Sequence, residues 1–262
     1  MKLERDGVQL GYDVVGDGPA LLLLHAFPLD RRMWRATATA LAPRYRVITL
    51  DFRGFGESTL DAEPSLETLA DDAAALLDAL GVPIAALCGL SMGGYVALAF
   101  AARHRSRLGA LILADTRAGA DSAQARQGRD DGIALVRSRG TAAFVEPIPS
   151  KLLSPHASDE AREQVRAIAA QQPAPAIAAA LSAMRDRPDR TGELASLRSS
   201  TLILVGSNDL VTPPAESRAM ARVIAGARVV ELAGAGHLSN LEAPEAFVAA
   251  LGEFLDLETA DY

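Results

Sequence analysis

The first residues in the chain with a chemical signature are Gly89-Leu90-Ser91-Met92-Gly93. They follow the apolar run Ile84 to Leu90 and open onto Tyr95-Val96-Ala97-Leu98-Ala99-Phe100-Ala101, so the context is strand, tight turn, helix. A serine at so sharp a turn sits in strained backbone, and the glycines on either side leave room for it. The helix that follows points its first N–H groups at the serine, where a developing oxyanion would accept hydrogen bonds. Ser91 is the expected nucleophile.

A serine nucleophile needs a base, and the chain has four histidines: His25, His104, His156 and His237. His237 closes the small-residue loop Ala233-Gly234-Ala235-Gly236 beyond the last strand pattern, which puts it at the carboxyl edge of a sheet, where ligands bind. His104 lies among Arg103, Arg105 and Arg107 at a helix end, where charge–dipole attraction accounts for it. The base in turn needs an acid to hold its tautomer. Asp209 stands just past Thr201 to Gly206 and precedes Val211-Thr212-Pro213-Pro214, a helix start. Asp115 ends the preceding strand pattern and is its rival. Asp209 is preferred, with Asp115 kept as the alternative.

These residues must be carried by a sheet. Short apolar runs at Leu21–His25, Arg46–Asp51, Ile84–Leu90, Ala110–Asp115, Thr201–Gly206 and Arg228–Leu232 read as strands covered on both faces. Helical stretches at Met33–Ala42, Ser65–Leu80, Met92–His104, Pro214–Ala225 and Pro244–Leu257 alternate with them. The alternation predicts an α/β protein with a doubly wound, mostly parallel sheet. Lys2–Arg5 and Val8–Val15, joined by Asp6-Gly7, predict an antiparallel edge hairpin. From Arg117 to Arg198 no strand pattern occurs, only Ala-, Arg- and Gln-rich stretches broken by prolines. The expected organisation is a core of residues 1–116 and 199–262 with an inserted helical cap at 117–198.

With that order of elements and residues, the chain resembles the serine-hydrolase branch of the α/β-hydrolase superfamily from about residue 8 to residue 257. His25-Ala26-Phe27-Pro28 is similar to the superfamily's His-Gly-x-Pro oxyanion turn, with Ala26 in place of glycine. Asp51-Phe52-Arg53-Gly54-Phe55-Gly56-Glu57-Ser58 is similar to its Asp-x-Arg-Gly-x-Gly-x-Ser loop. The resemblance implies an oxyanion hole made by the backbone N–H groups of Phe27 and Met92. Size and elbow look most like the small bacterial carboxylesterases and the 3-oxoadipate enol-lactonase group, which implies hydrolysis of small carboxylic esters or lactones through an acyl-enzyme on Ser91. Relatives of this fold with an aspartate nucleophile are disfavoured by Ser91 itself. A perhydrolase or acyltransferase on the same triad, or a receptor-like binding protein with weak turnover, are the alternatives.

His25, Trp34, Phe144, Ile148, Leu152 and Leu181 are the candidate substrate-pocket residues, and Arg117 and Lys151 the candidate partners for a substrate carboxylate. Neither lysine follows a glycine as a phosphate-cradling loop requires, and no metal-ligand spacing occurs, so no metal or organic cofactor is expected. The single cysteine, Cys88, excludes an intramolecular disulfide and reads as a small buried residue. The net charge of −7 opposes nucleic acid and anionic lipid as partners. A mixed-charge N-terminus and the lack of a long apolar run fit a cytoplasmic protein with no membrane association.

Overall fold

The computed structural model describes residues 1–259 of the chain. Eight strands form one sheet: β1 (Lys2–Arg5), β2 (Val8–Val15), β3 (Ala20–Leu24), β4 (Arg46–Leu50), β5 (Ala85–Leu90), β6 (Leu108–Ala114), β7 (Ser200–Gly206) and β8 (Arg228–Leu232). Their order is β1-β2-β4-β3-β5-β6-β7-β8. From β4 to β8 every pair is parallel, and β1 and β2 are the antiparallel edge. The edge hairpin turns at Asp6 and Gly7, both with positive φ (48° and 81°), as a turn matched to strand twist requires. The predicted strands stand within two residues of the observed ones, and His25, Asp51 and Asp115 fall just beyond strand ends.

Ten helices are described: α1 (Arg35–Leu41), α2 (Leu66–Ala79), α3 (Met92–Arg103), α4 (Ala123–Val145), α5 (Ile148–Leu152), α6 (Asp159–Ala169), α7 (Ala174–Asp186), α8 (Pro214–Val223), α9 (Ser239–Glu242) and α10 (Pro244–Thr259). The stretch expected to be one helix from Met33 is two elements. Asp30 caps a 3-10 turn at Arg31–Trp34 by accepting from the Arg32 N–H, and α1 follows it. In α2 the buried positions Leu66, Leu69, Ala70, Ala73, Leu76 and Leu77 repeat at helical spacing, and Ser65 caps its start. Helix α3 is buried almost all round, which suits the helix behind Ser91. Two apolar layers sandwich the sheet, one with α2, α3 and α8, the other with α1 and α10.

Because β3 runs to β4 on one side while β5 lies on its other side, the strand order reverses between β3 and β5. A crevice opens at such a reversal, at the carboxyl ends of the strands. Helices α4 to α7 and a 3-10 turn at Thr191–Ser196 lie between β6 and β7, and residues 117–198 contain no strand. Helix α4 is broken at Gly140, whose φ of 78° lies outside helical space. Its second half carries Phe144 back toward Gly132 of the first half, beside which Leu181 of α7 also lies.

Candidate active site

Ser91 sits between β5 and α3 with φ 55° and ψ −111°, in backbone that a non-glycine residue occupies only when its surroundings hold it there. Its N–H donates to Ala114 O at 2.9 Å, and Thr116 Oγ1 donates to Ser91 O at 2.8 Å. A Cβ on Gly93 would lie 2.1 Å from Leu24 O, and one on Gly89 would lie 2.2 Å from Gly93 O. The two glycines are what allow the turn to close against β3.

The His237 imidazole is engaged at both nitrogens. Nε2 is 2.8 Å from Ser91 Oγ, and Nδ1 is 2.8 Å from Asp209 Oδ2. Asp209 also accepts from the Val211 N–H (2.8 Å), the Thr212 N–H (2.9 Å) and the Thr212 hydroxyl (2.7 Å). Burial works to raise the Asp209 carboxyl, but the hydrogen bonds and charge of His237, with Thr212, outweigh it and hold the group below the ordinary carboxylate value. An ionised Asp209 accepts a hydrogen bond from the Nδ1–H, so the Nε2 lone pair faces the serine hydroxyl. Asp115, the rival acid, does not bond the imidazole. Its oxygens accept from the Gly206 N–H and from Ser239.

The turn after β3 is braced from below. His25 is fully buried, its Nδ1 lies 3.0 Å from Ala26 O, and its Nε2 accepts the Phe52 N–H at 3.0 Å. Burial holds this imidazole below its ordinary pKa and therefore neutral. His25 is a brace between the Phe27 turn and the Asp51 loop, which corrects its expected place in the substrate pocket. Asp51 in turn accepts from the Arg31 and Glu57 N–H groups, and Ser58 Oγ donates to Asp51 O. Ala26 is not among the residues with positive φ, so its Cβ brings no backbone strain to the turn. The N–H groups of Phe27 and Met92 have no acceptor among the described residues.

Of the other pocket candidates, Trp34 is fully buried against Phe247 in the layer beneath the sheet and is a core residue, a second correction. Phe27 and Phe144 are partly exposed and meet edge-on at 5.9 Å. Ile148 and Leu181 are buried, and Leu152 is half-buried. The Leu152 carbonyl accepts the His237 N–H at 2.8 Å. A cavity of about 260 Å³ reaches His237 and is lined by Lys151, Leu152, Arg162, Asn208 and Leu210. Arg117 is paired with Asp121. His104 bonds Asp71, and His156 is exposed. Cys88 is buried, which pushes its thiol pKa up and leaves it unreactive. Among the described residues no group of His, Cys, Asp and Glu side chains could hold a metal ion, and no helix is long and apolar enough to cross a membrane.

Thr212 and Ser239 were not singled out from the sequence. Thr212 had a readable signal, since a threonine three residues past an aspartate at a helix start commonly closes a turn on it. Ser239 had none, because its partner lies 124 positions away.

The model of the alpha/beta hydrolase fold family matches residues 19–244. The chain belongs to that family. A 3-oxoadipate enol-lactonase of Acinetobacter baylyi is 31% identical over 97% of this hydrolase and 96% of its own length. Among solved structures, an esterase from Thermogutta terrifontis with malate bound is similar at 40% identity and TM-score 0.93, covering 98% of this hydrolase and 97% of that chain. An enol-lactonase from Burkholderia xenovorans is similar at 29% identity and TM-score 0.90, covering 98% and 100%. The resemblance drawn from the elbow, the oxyanion turn and the order of strands and helices therefore holds, together with the fold class.

Proposed function

We propose that this hydrolase cleaves carboxylic esters or lactones of small molecules through an acyl-enzyme on Ser91. The observation that carries the reading is the His237 imidazole bridging Ser91 Oγ and Asp209 Oδ2 at 2.8 Å on each side. The enol-lactonase and esterase relatives support the ester or lactone as the bond cleaved.

In the first half-reaction Ser91 Oγ attacks the carbonyl carbon while His237 Nε2 takes its proton. Asp209 stabilises the imidazolium and holds its Nδ1–H. The carbonyl oxygen gains charge and is met by the Phe27 and Met92 N–H groups. When the C–O bond breaks, the alkoxy group leaves with the proton from His237. A water then attacks the acyl carbon as His237 takes its proton, and the acid departs as that proton returns to Ser91 Oγ. In a lactone both halves of the substrate remain one molecule, and the same steps open the ring.

Residues 117–198 act as the cap of this reading, closing over the crevice with Phe144 and Leu181 and leaving 1–116 and 199–262 as the core. The cap also bears Lys151, which lines the cavity at His237 and whose side-chain ammonium has no hydrogen-bond or ion-pair partner among the described residues. With Arg117 committed to Asp121, Lys151 is the cation placed to meet an anionic substrate group. The test of the core reading is a fluorophosphonate probe followed by peptide mass spectrometry on the active protein. The label is expected on Ser91 and absent after His237→Ala; labelling elsewhere, or none on active enzyme, overturns the assignment.

A further inference from the structure

Three consecutive residues at the end of β6 grip all three parts of the site. Ala114 O accepts the Ser91 N–H, and Thr116 Oγ1 donates to Ser91 O. Between them, Asp115 Oδ1 accepts the Gly206 N–H at 2.8 Å, while Oδ2 accepts the Ser239 hydroxyl and, at 3.3 Å, the Ser239 N–H. Gly206 lies three residues before Asp209 and accepts the Asp209 N–H at 3.0 Å, so it is part of the acid's turn. Ser239 lies two residues after His237, at the start of α9. Asp115 is fully buried and has φ 45°, a left-handed conformation that an aspartate keeps only under constraint.

We propose that Asp115 is a positioning residue of the triad: its single buried carboxylate ties the acid turn to the histidine turn and so sets the distance and angle at which His237 faces Ser91. The inference rests on the triad reading above. A carboxylate suits the task because two oxygens accept from two loops at once, which no other side chain of that size does. Three titratable groups bear on it: His237 and Asp209 from their turns, and Cys88 from β5. Burial, opposed by His237 and reinforced by the Asp209 charge, pushes the Asp115 carboxyl up to about 7.

The test is steady-state kinetics of Asp115→Asn and Ser239→Ala on a nitrophenyl acetate ester, with thermal unfolding as a check on folding. Asparagine keeps an acceptor for Gly206 and its Nδ2–H can donate to the Ser239 hydroxyl, but the Ser239 N–H loses its acceptor. Both variants are expected to lose about 10- to 100-fold in kcat, with KM within about threefold, because a small misplacement of a catalytic group acts on the chemical step. If Asp115→Asn does not fold, Ser239→Ala decides through its kcat. Wild-type kcat in Ser239→Ala, or in a folded Asp115→Asn, overturns the proposal. Should His237→Ala also keep full activity, the triad reading itself falls; if His237→Ala is inactive while both test variants are normal, only the positioning role is lost.

Discussion

Two aspartates are held at the His237 turn, and their hydrogen bonds separate their roles. Asp209 meets the imidazole and has its other lone pairs filled by Val211 and Thr212. Replacing it with asparagine keeps the shape but turns the imidazole into the wrong tautomer, so Asp209→Asn is expected to lower kcat by about 10⁴ with the fold intact. Steady-state kinetics beside circular dichroism checks this; a loss below tenfold would remove Asp209 from the triad. The carboxyls also differ in how they bear on stability. The Asp209 pKa is depressed in the folded state, so its contribution is present above the unfolded value and lost as pH falls through the folded one. That of Asp115 is raised from 3.8 to about 7, so its contribution is complete below about pH 4 and is lost as pH rises through 7. Urea unfolding of Asp115→Asn between pH 5 and 8 should show a flatter stability profile than wild type, by a few kcal/mol at most. An equal slope in the two proteins would contradict the burial of that charge.

The elbow between β5 and α3 depends on close approach of backbone to backbone. A methyl group at Gly93 would sit 2.1 Å from Leu24 O, an atom that cannot move without parting β3 from β5. Gly93→Ala is expected to lower the thermal midpoint by several degrees and to abolish fluorophosphonate labelling of Ser91. Labelling at the wild-type rate would show that the elbow tolerates a side chain there. Helix α5 reaches the site in another way. Its Leu152 carbonyl holds the His237 N–H, and Glu242 accepts from both Ser154 and Gly236, so the helical segment is fastened to the histidine turn through backbone. Truncating the Leu152 side chain leaves these bonds intact. Leu152→Ala should therefore keep turnover of an acetate ester while shifting the preference among longer acyl chains by about 1 to 3 kcal/mol in kcat/KM. Unchanged chain-length preference would place the acyl group away from α5.

Across the whole molecule, the two ends of the helical segment converge on one carboxylate. Asp121 is buried and pairs with Arg117 at 2.9 Å, Arg129 of α4 at 3.1 Å and Arg187, beyond α7, at 2.8 Å. The Arg187 guanidinium also lies 4.1 Å from the ring centre of Tyr95 on α3, which joins the segment to the core. Burial works to raise the Asp121 carboxyl, and the charges of Arg129 and Arg187 more than offset it, so its pKa lies below the ordinary value. Removing that charge leaves three cations without their counter-ion, and Asp121→Asn is expected to destabilise the protein by about 3 kcal/mol. The loss should concentrate in this segment. Limited proteolysis should cut the variant first between residues 117 and 198, whereas cutting in the core first would show that Asp121 does not anchor it.

The sequence by itself determined the alternation of strand and helix, the antiparallel edge at Asp6-Gly7, the strandless stretch from 117 to 198, and the turn at Ser91 and loop at His237. These are local properties: apolar period, turn chemistry and the small residues a sharp turn needs all lie within a few positions of one another. Local pattern could not choose between Asp115 and Asp209, since both follow a buried strand. The choice came from the packing of β6 beside β7, which aims one carboxylate at the Gly206 and Ser239 N–H groups and leaves the other for the imidazole. His25 and Trp34 went astray for a similar reason. Each is a polar-tipped ring near the sheet's carboxyl edge in sequence, yet His25 is closed off by the Phe52 N–H and Trp34 by Phe247, groups contributed by segments 27 and 213 residues away. Which face of a residue is solvent, substrate or core is decided by the distant chain that packs on it, and only the tertiary structure holds that information.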